Sequence, residues 1–292
     1  MNLELFDPRP IGVFDSGVGG LSVLNQLLKN FPNESFVYLG DTARLPYGSK
    51  SSQTIARYVT QNINYLIVNQ NIKAIVVACN SASTVLSDVV INSDIPIFGV
   101  IEPGAASALA TTKNHKIAVW ATRATIQKQS YAMALKKLNP KVQVTSVPCP
   151  LLVPLVEEGL WEGPITDAVI DLYLHELHQT DVDTLILGCT HYPFIKAALQ
   201  ARIESLTSQT DVKSKNIEVA INPNLKIVDS AEAICLNLKT AFNEHKITSS
   251  KNSQTLSLLL TDEASHFMNL VAKSFPDWKN IKFQLIDLHQ IV

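Results

Sequence analysis

The chain has 292 residues, 46% of them hydrophobic and 17% charged, which is ample apolar material for one or two packed domains and argues against a largely disordered protein. A formal net charge of -2, from 24 Lys and Arg against 26 Asp and Glu, gives no broad electrostatic footprint for nucleic acid, and no local basic patch stands out. No apolar run reaches the roughly 18–20 residues needed to cross a bilayer, and "MNLELFDPRP" lacks the pattern of a secretory signal, so a cytoplasmic protein without a membrane partner is expected.

Taken in chain order, short β-branched runs read as strands buried on both faces: "IGVF" (11–14), "FVYLG" (36–40), "AIVVAC" (74–79), "IPIFGV" (95–100), "IAVW" (117–120), "VQVTSV" (142–147) and "TLILGC" (184–189). Between them "GLSVLNQLLKNF", "TIARYVTQNINYLIVNQ", "RATIQKQSYAMALKKL" and "ITDAVIDLYLHELHQ" carry apolar residues at helical spacing. This alternation predicts an α/β fold with parallel sheets. After about residue 212, "IEVAINPNLKIVDS" and "LSLLLTDEASHFMNLV" alternate again, and "TSQTDVKSKN" (207–216) is the best linker candidate.

Two stretches repeat one plan. "IGVFDSGVGGLSVL" and "KIAVWATRATIQ" each run strand, polar turn, helix, and each precedes a cysteine at a strand edge, "VVACNSAST" and "LILGCTHYP". Asp15 to Cys79 spans 64 positions and Ala121 to Cys189 spans 68. The chain therefore reads as two pseudo-symmetric flavodoxin-like doubly wound parallel-sheet domains, with the active site between them. The first comprises 1–98 plus 212–292 and carries Asp15 and Cys79; the second comprises 99–211 and carries Glu157, Cys189 and His191. Since ligands bind beyond the carboxyl ends of parallel strands, Asp15, Cys79, Thr122 and Cys189 are expected to line one cleft.

The four cysteines, Cys79, Cys149, Cys189 and Cys235, form no C-x-x-C pair, and Cys189-Thr190-His191 alone offers too few ligands for zinc. A cysteine at the start of a helix meets free N–H groups that lower its pKa. Two such thiols on opposite walls suit removal of a proton from one face of a carbon and delivery to the other, the reaction of a two-base racemase. That chemistry needs neither metal nor pyridoxal phosphate if preorganised donors polarise the substrate's carboxylate. No lysine stands at a strand end beside a phosphate loop, so no cofactor is expected.

The segments "GVFDSGVGGLSVL", "YLGDTARLPYG", "VVACNSAS", "PLVEEG" and "LGCTHYP", in this order and across most of the chain, resemble the bacterial glutamate racemases, of the cofactor-independent aspartate/glutamate racemase superfamily. The resemblance implies that Cys79 and Cys189 are the paired acid and base, assisted by Asp15, Glu157 and His191, with Glu158 as a neighbouring alternative to Glu157. It implies that Asp15, Ser16, Tyr47, Gly48, Asn80, Ser81 and Thr190 hold glutamate, to which the strand-end position adds Thr122. It further implies a homodimer and a supply of D-glutamate for peptidoglycan. Serine at 81, where the family usually has threonine, retains a donor hydroxyl.

Three rivals remain open. "DSGVGGLS", with Asp41 about twenty residues on, partly matches a dinucleotide fingerprint, but Ser22 replaces its third glycine. A related substrate such as aspartate or a hydantoin would use the same two thiols. A non-catalytic binding module would not require both.

Overall fold

The computed structural model describes residues 7–208, 221–244, 254–262, 265–278 and 281–288. The linker candidate at 207–216 lies almost wholly outside them. Strand β1 (Ile11–Asp15) leads through Gly19 and Gly20 into helix α1 (Leu21–Asn30), which turns Leu21, Leu24 and Leu27 inward at helical spacing. β2 (Phe36–Gly40) is followed by two short 3-10 turns and α2 (Ser52–Gln70). Ser51 caps α2 by accepting from the Thr54 N–H, and Asn71 ends it in the left-handed region at φ 47°. β3 (Ala74–Val77) gives way at Cys79 to a single turn, α3 (Asn80–Ser83), then to β4 (Ile97–Gly99) and α4 (Ile101–Thr111).

β5 (Lys116–Ala121) runs into α5 (Arg123–Gln127), capped by Thr122. The sequence reading has one helix over 123–138, but the structure breaks it at Gln129, which takes φ 53° before α6 (Ser130–Leu138). β6 (Gln143–Pro148), α7 (Leu152–Glu157), α8 (Pro164–His175), β7 (Thr184–Gly188) and α9 (Lys196–Ser208) follow. The chain closes with β8 (Lys226–Asp229), α10 (Ser230–Asn243), β9 (Leu256–Leu260), α11 (Ser265–Ser274) and β10 (Phe283–Leu285).

Among the described residues two sheets result, their pairs parallel, ordered β10-β9-β2-β1-β3-β4 and β6-β5-β7-β8. The block β2-β1-β3-β4 of the first recurs as β6-β5-β7-β8 in the second, so the repeat seen in the sequence is a repeat of topology. That recurrence corrects one boundary. The counterpart of β4 is β8, which pairs with β7, so the described residues from Ile221 to Asp229 lie with the second sheet and not with the first unit, which the sequence alone leads one to begin again at about 212. The chain returns to the first sheet at α10, whose Ala231, Ile234, Cys235, Leu238 and Ala241 pack into the core around β1 and α1. Among the described residues no helix is long and apolar enough to cross a membrane.

Candidate active site

In each four-strand block the strand order reverses beside the first strand, where the backbones part beyond the carboxyl ends and leave a crevice. Asp15 ends β1 and Cys79 follows β3; Ala121 ends β5, with Thr122 next, and Cys189 follows β7. The two crevices face each other. Ser16, Pro46, Tyr47, Gly48, Cys79, Asn80, Ser81, Thr122, Val153, Cys189, Thr190 and His191 line one shared cavity. It measures about 10 Å³, space for a single water centre, so the walls are nearly closed on one another.

Side chains cross this seam directly. Thr190 Oγ1 donates to Asp15 Oδ1 at 3.1 Å, Ser81 Oγ lies 2.8 Å from Thr122 Oγ1, and Tyr131 OH donates to Asn80 Oδ1 at 2.7 Å. Gly19 and Gly48 permit the approach. A Cβ on Gly19 would stand 2.4 Å from Thr190 Oγ1 and 2.6 Å from His191 Nδ1, and one on Gly48 would stand 2.5 Å from Thr122 Cβ. Gly19, part of the partial dinucleotide fingerprint, thus lies against the opposite wall.

The thiols have different surroundings. Cys79 Sγ is 3.8 Å from Ser16 Oγ, and burial, followed by the charge of Asp15, pushes its pKa well up. The lowering expected for a helix-start cysteine is reversed here, because α3 is one turn long and its Ala82 N–H does not offset desolvation. Cys189 Sγ is 3.8 Å from His191 Nδ1, and His191 Nε2 meets Glu157 Oε1 at 2.5 Å. Burial alone would lower the imidazole, but hydrogen bonding to Cys189 and Glu157 and their charges hold it well above the ordinary histidine range. Glu157 is the carboxylate in this contact, whereas Glu158 is exposed. Asp15 is pushed up to about 6, chiefly by burial, against the pull of His191 and hydrogen bonds from Gly17 and Thr190.

Of the catalytic and substrate-binding candidates, Ser16, Tyr47, Gly48, Cys79, Asn80, Ser81, Thr122, Cys189, Thr190 and His191 line this cavity, while Asp15 and Glu157 stand behind it, joined to Thr190 and His191. Pro46 and Val153 were not anticipated; Pro46 belongs to a motif already quoted, but Val153 carries no signal beyond helical periodicity. Asp41, the acidic residue of the dinucleotide alternative, accepts from Tyr47 OH, from Asn62 Nδ2 at 3.2 Å, from Thr261 Oγ1 at 3.0 Å and from Arg44 Nε at 2.9 Å. Its carboxylate is thus engaged within the protein and anchors the ring of Tyr47.

The family model for Asp/Glu/Hydantoin racemase matches residues 14–235. The glutamate racemase of Sulfurihydrogenibium sp. (strain YO3AOP1) is 40% identical over 280 residues, covering 96% of this chain and 98% of the relative. Among solved structures, a glutamate racemase isoform of Bacillus anthracis superposes with a TM-score of 0.83 at 32% identity, covering 96% of this chain and 98% of that one. The glutamate racemase of Francisella tularensis, solved in complex with D-glutamate, gives 0.82 at 33% identity over 97% and 99%. A family model spanning most of the chain and relatives of this identity over nearly its full length show that the chain belongs to the Asp/Glu/hydantoin racemase family, among its glutamate racemases.

Proposed function

We propose that this protein interconverts L- and D-glutamate without a cofactor, using Cys79 and Cys189 as the two bases. The observation that carries the reading is the placement of two thiols at equivalent ends of duplicated sheets, on opposite walls of one narrow cavity. His191, joined to Glu157, lies within hydrogen-bonding reach of the Cys189 sulfur, while burial and the charge of Asp15 favour the protonated form of Cys79. In that state Cys189 removes the α-proton of L-glutamate: the C–H bond breaks, an S–H bond forms, and the electron pair moves towards the α-carboxylate. Cys79 then delivers its proton to the opposite face, giving D-glutamate and a thiolate at Cys79. The protein is left in the mirror state, ready to act on D-glutamate.

Ser16, Asn80, Ser81, Thr122 and Thr190 supply donors around the cavity for the substrate's carboxylates, with Tyr47 and Gly48 forming its wall; Asp15 is the group to meet the ammonium. A cavity of about 10 Å³ does not admit glutamate, so the walls separate for entry and close to exclude water. We place the enzyme in the cytoplasm as a homodimer supplying D-glutamate for peptidoglycan; all four cysteines are free, which suits a reducing compartment. Sedimentation velocity tests the dimer. Polarimetry of L-glutamate and, separately, L-aspartate tests the reaction: rotation is lost with glutamate, and loss with aspartate alone would transfer the activity to that substrate.

A further inference from the structure

Tyr131 is buried on α6, at 2% exposure, and its two ends meet the two cysteine edges. Its hydroxyl donates to Oδ1 of Asn80, the residue after Cys79, at 2.7 Å. Its ring lies against Gly188, the residue before Cys189, where a Cβ would come within 2.9 Å of ring carbon Cε2. The other ring edge faces Gly104 of α4, where a Cβ would stand 3.1 Å away. Two glycines therefore make room for this ring, and the break at Gln129 lets α6 set off in its own direction from α5.

The hydrogen bond ties the Asn80 amide to the opposite wall. Asn80 has an acceptor end and a donor end, and they are interchangeable in shape. With Oδ1 accepting from Tyr131, Nδ2 donates towards Ser230 Oγ at 3.4 Å and keeps a second N–H for the cavity that Asn80 lines. Turned over, the amide would present its oxygen to a carboxylate and repel it.

We infer that Tyr131 is a positioning residue for the racemisation: it holds the Asn80 side chain in place beside the substrate, and it does so from the wall that carries Cys189. This rests on the functional reading above, in which Asn80 binds the substrate. Burial, then the charge of Cys189, pushes the phenol's pKa up, so it stays a hydrogen-bond donor wherever the enzyme works.

The test is Tyr131→Phe, which keeps the packed ring and removes only the hydroxyl, assayed with both enantiomers alone and combined with Asn80→Ala. The expected result is a rise in KM of about tenfold for L- and D-glutamate, with kcat changed less than about threefold. Beside Asn80→Ala, the change at 131 adds less than about twofold, because its target is gone. A role confined to packing would instead lower the active fraction, reducing apparent kcat at unchanged KM. That pattern, or an equal penalty with Ala at 80, overturns the inference. Parent enzyme that racemises aspartate in place of glutamate refutes the substrate assignment alone, and the same KM comparison is then read with aspartate. Parent enzyme with no racemase activity defeats both.

Discussion

Gly19→Ala places one methyl group in the seam between the two walls. The added carbon meets Thr190 Oγ1 at 2.4 Å and His191 Nδ1 and Cε1 at 2.6 and 2.9 Å. Thr190 is stiff at its β-branched carbon and His191 is held at its far nitrogen by Glu157, so neither side chain swings away freely. Ordinary contact begins near 3.4 Å, which requires a displacement of about 1 Å. The displaced groups are those that flank Cys189 and join Asp15, and a misplacement of about 1 Å costs about 100-fold in rate, or about 2.7 kcal/mol of transition-state stabilisation. The measurement is kcat/KM from the change in circular dichroism of each enantiomer, alongside a thermal unfolding curve to establish that the variant is folded. Since the enantiomers have equal free energy, the two directions must lose the same factor in kcat/KM. A folded Gly19→Ala enzyme within threefold of the parent would refute the view that the close approach of the two walls sets the catalytic geometry.

Asp15→Asn should trade activity for stability. The carboxyl of Asp15 rises from 3.8 to about 6 on folding, so its contribution to stability is fully present below pH 3.8 and is lost as pH climbs through 6. The asparagine variant should match the parent near pH 4 and exceed it by about 3 kcal/mol at pH 8 in denaturant titrations; a stability gap that does not change with pH contradicts this, and its racemisation should be severely impaired. Glu157→Gln should lower the pKa of His191, readable by NMR titration of its imidazole, and reduce kcat about tenfold with KM little altered; an unmoved imidazole counts against the Glu157–His191 contact. Cys79→Ser and Cys189→Ser should each abolish racemisation. In deuterated water, α-proton exchange of L-glutamate should survive slowly in Cys79→Ser and vanish in Cys189→Ser, the reverse result exchanging the two roles.

The buried strands were legible because both of their faces are covered: "FVYLG" reads as apolar throughout and forms β2 from Phe36 to Gly40. The cysteine edges were legible because the apolar run stops at a thiol followed by small polar residues, twice. Residue type alone does not record which sheet a strand joins. "KIVD" has the same character whether it pairs with β7 or with the first sheet, and only the repeated strand order accounts for its place. The kink at Gln129 was hidden because "QKQS" contains neither glycine nor proline and the apolar spacing continues across it. Tyr131 escaped for a related reason: an aromatic on the inner face of an amphipathic helix reads as core, and its hydroxyl acquires meaning only when Asn80, 51 positions away in sequence, is brought against it. Choosing Glu157 over Glu158 required the rotation of α7, which points one of two adjacent carboxylates at His191 and leaves the other in solvent.

The pairing of β2 with β9 has a consequence for biosynthesis. Phe36 to Gly40 bond to Leu256 to Leu260, and Asp41 receives the hydroxyl of Thr261, a partner 220 positions later in the chain. At about 5–20 residues per second, a ribosome needs about 10–40 s to supply that partner after β2 has emerged. Throughout this interval the nascent chain holds an uncharged, apolar strand with one edge unpaired, while the whole second sheet, β5 to β8, is synthesised and free to fold first. The half that begins first is the half that finishes last, so the outer edge of β2 is where a stalled or truncated chain of this enzyme is most exposed to aggregation.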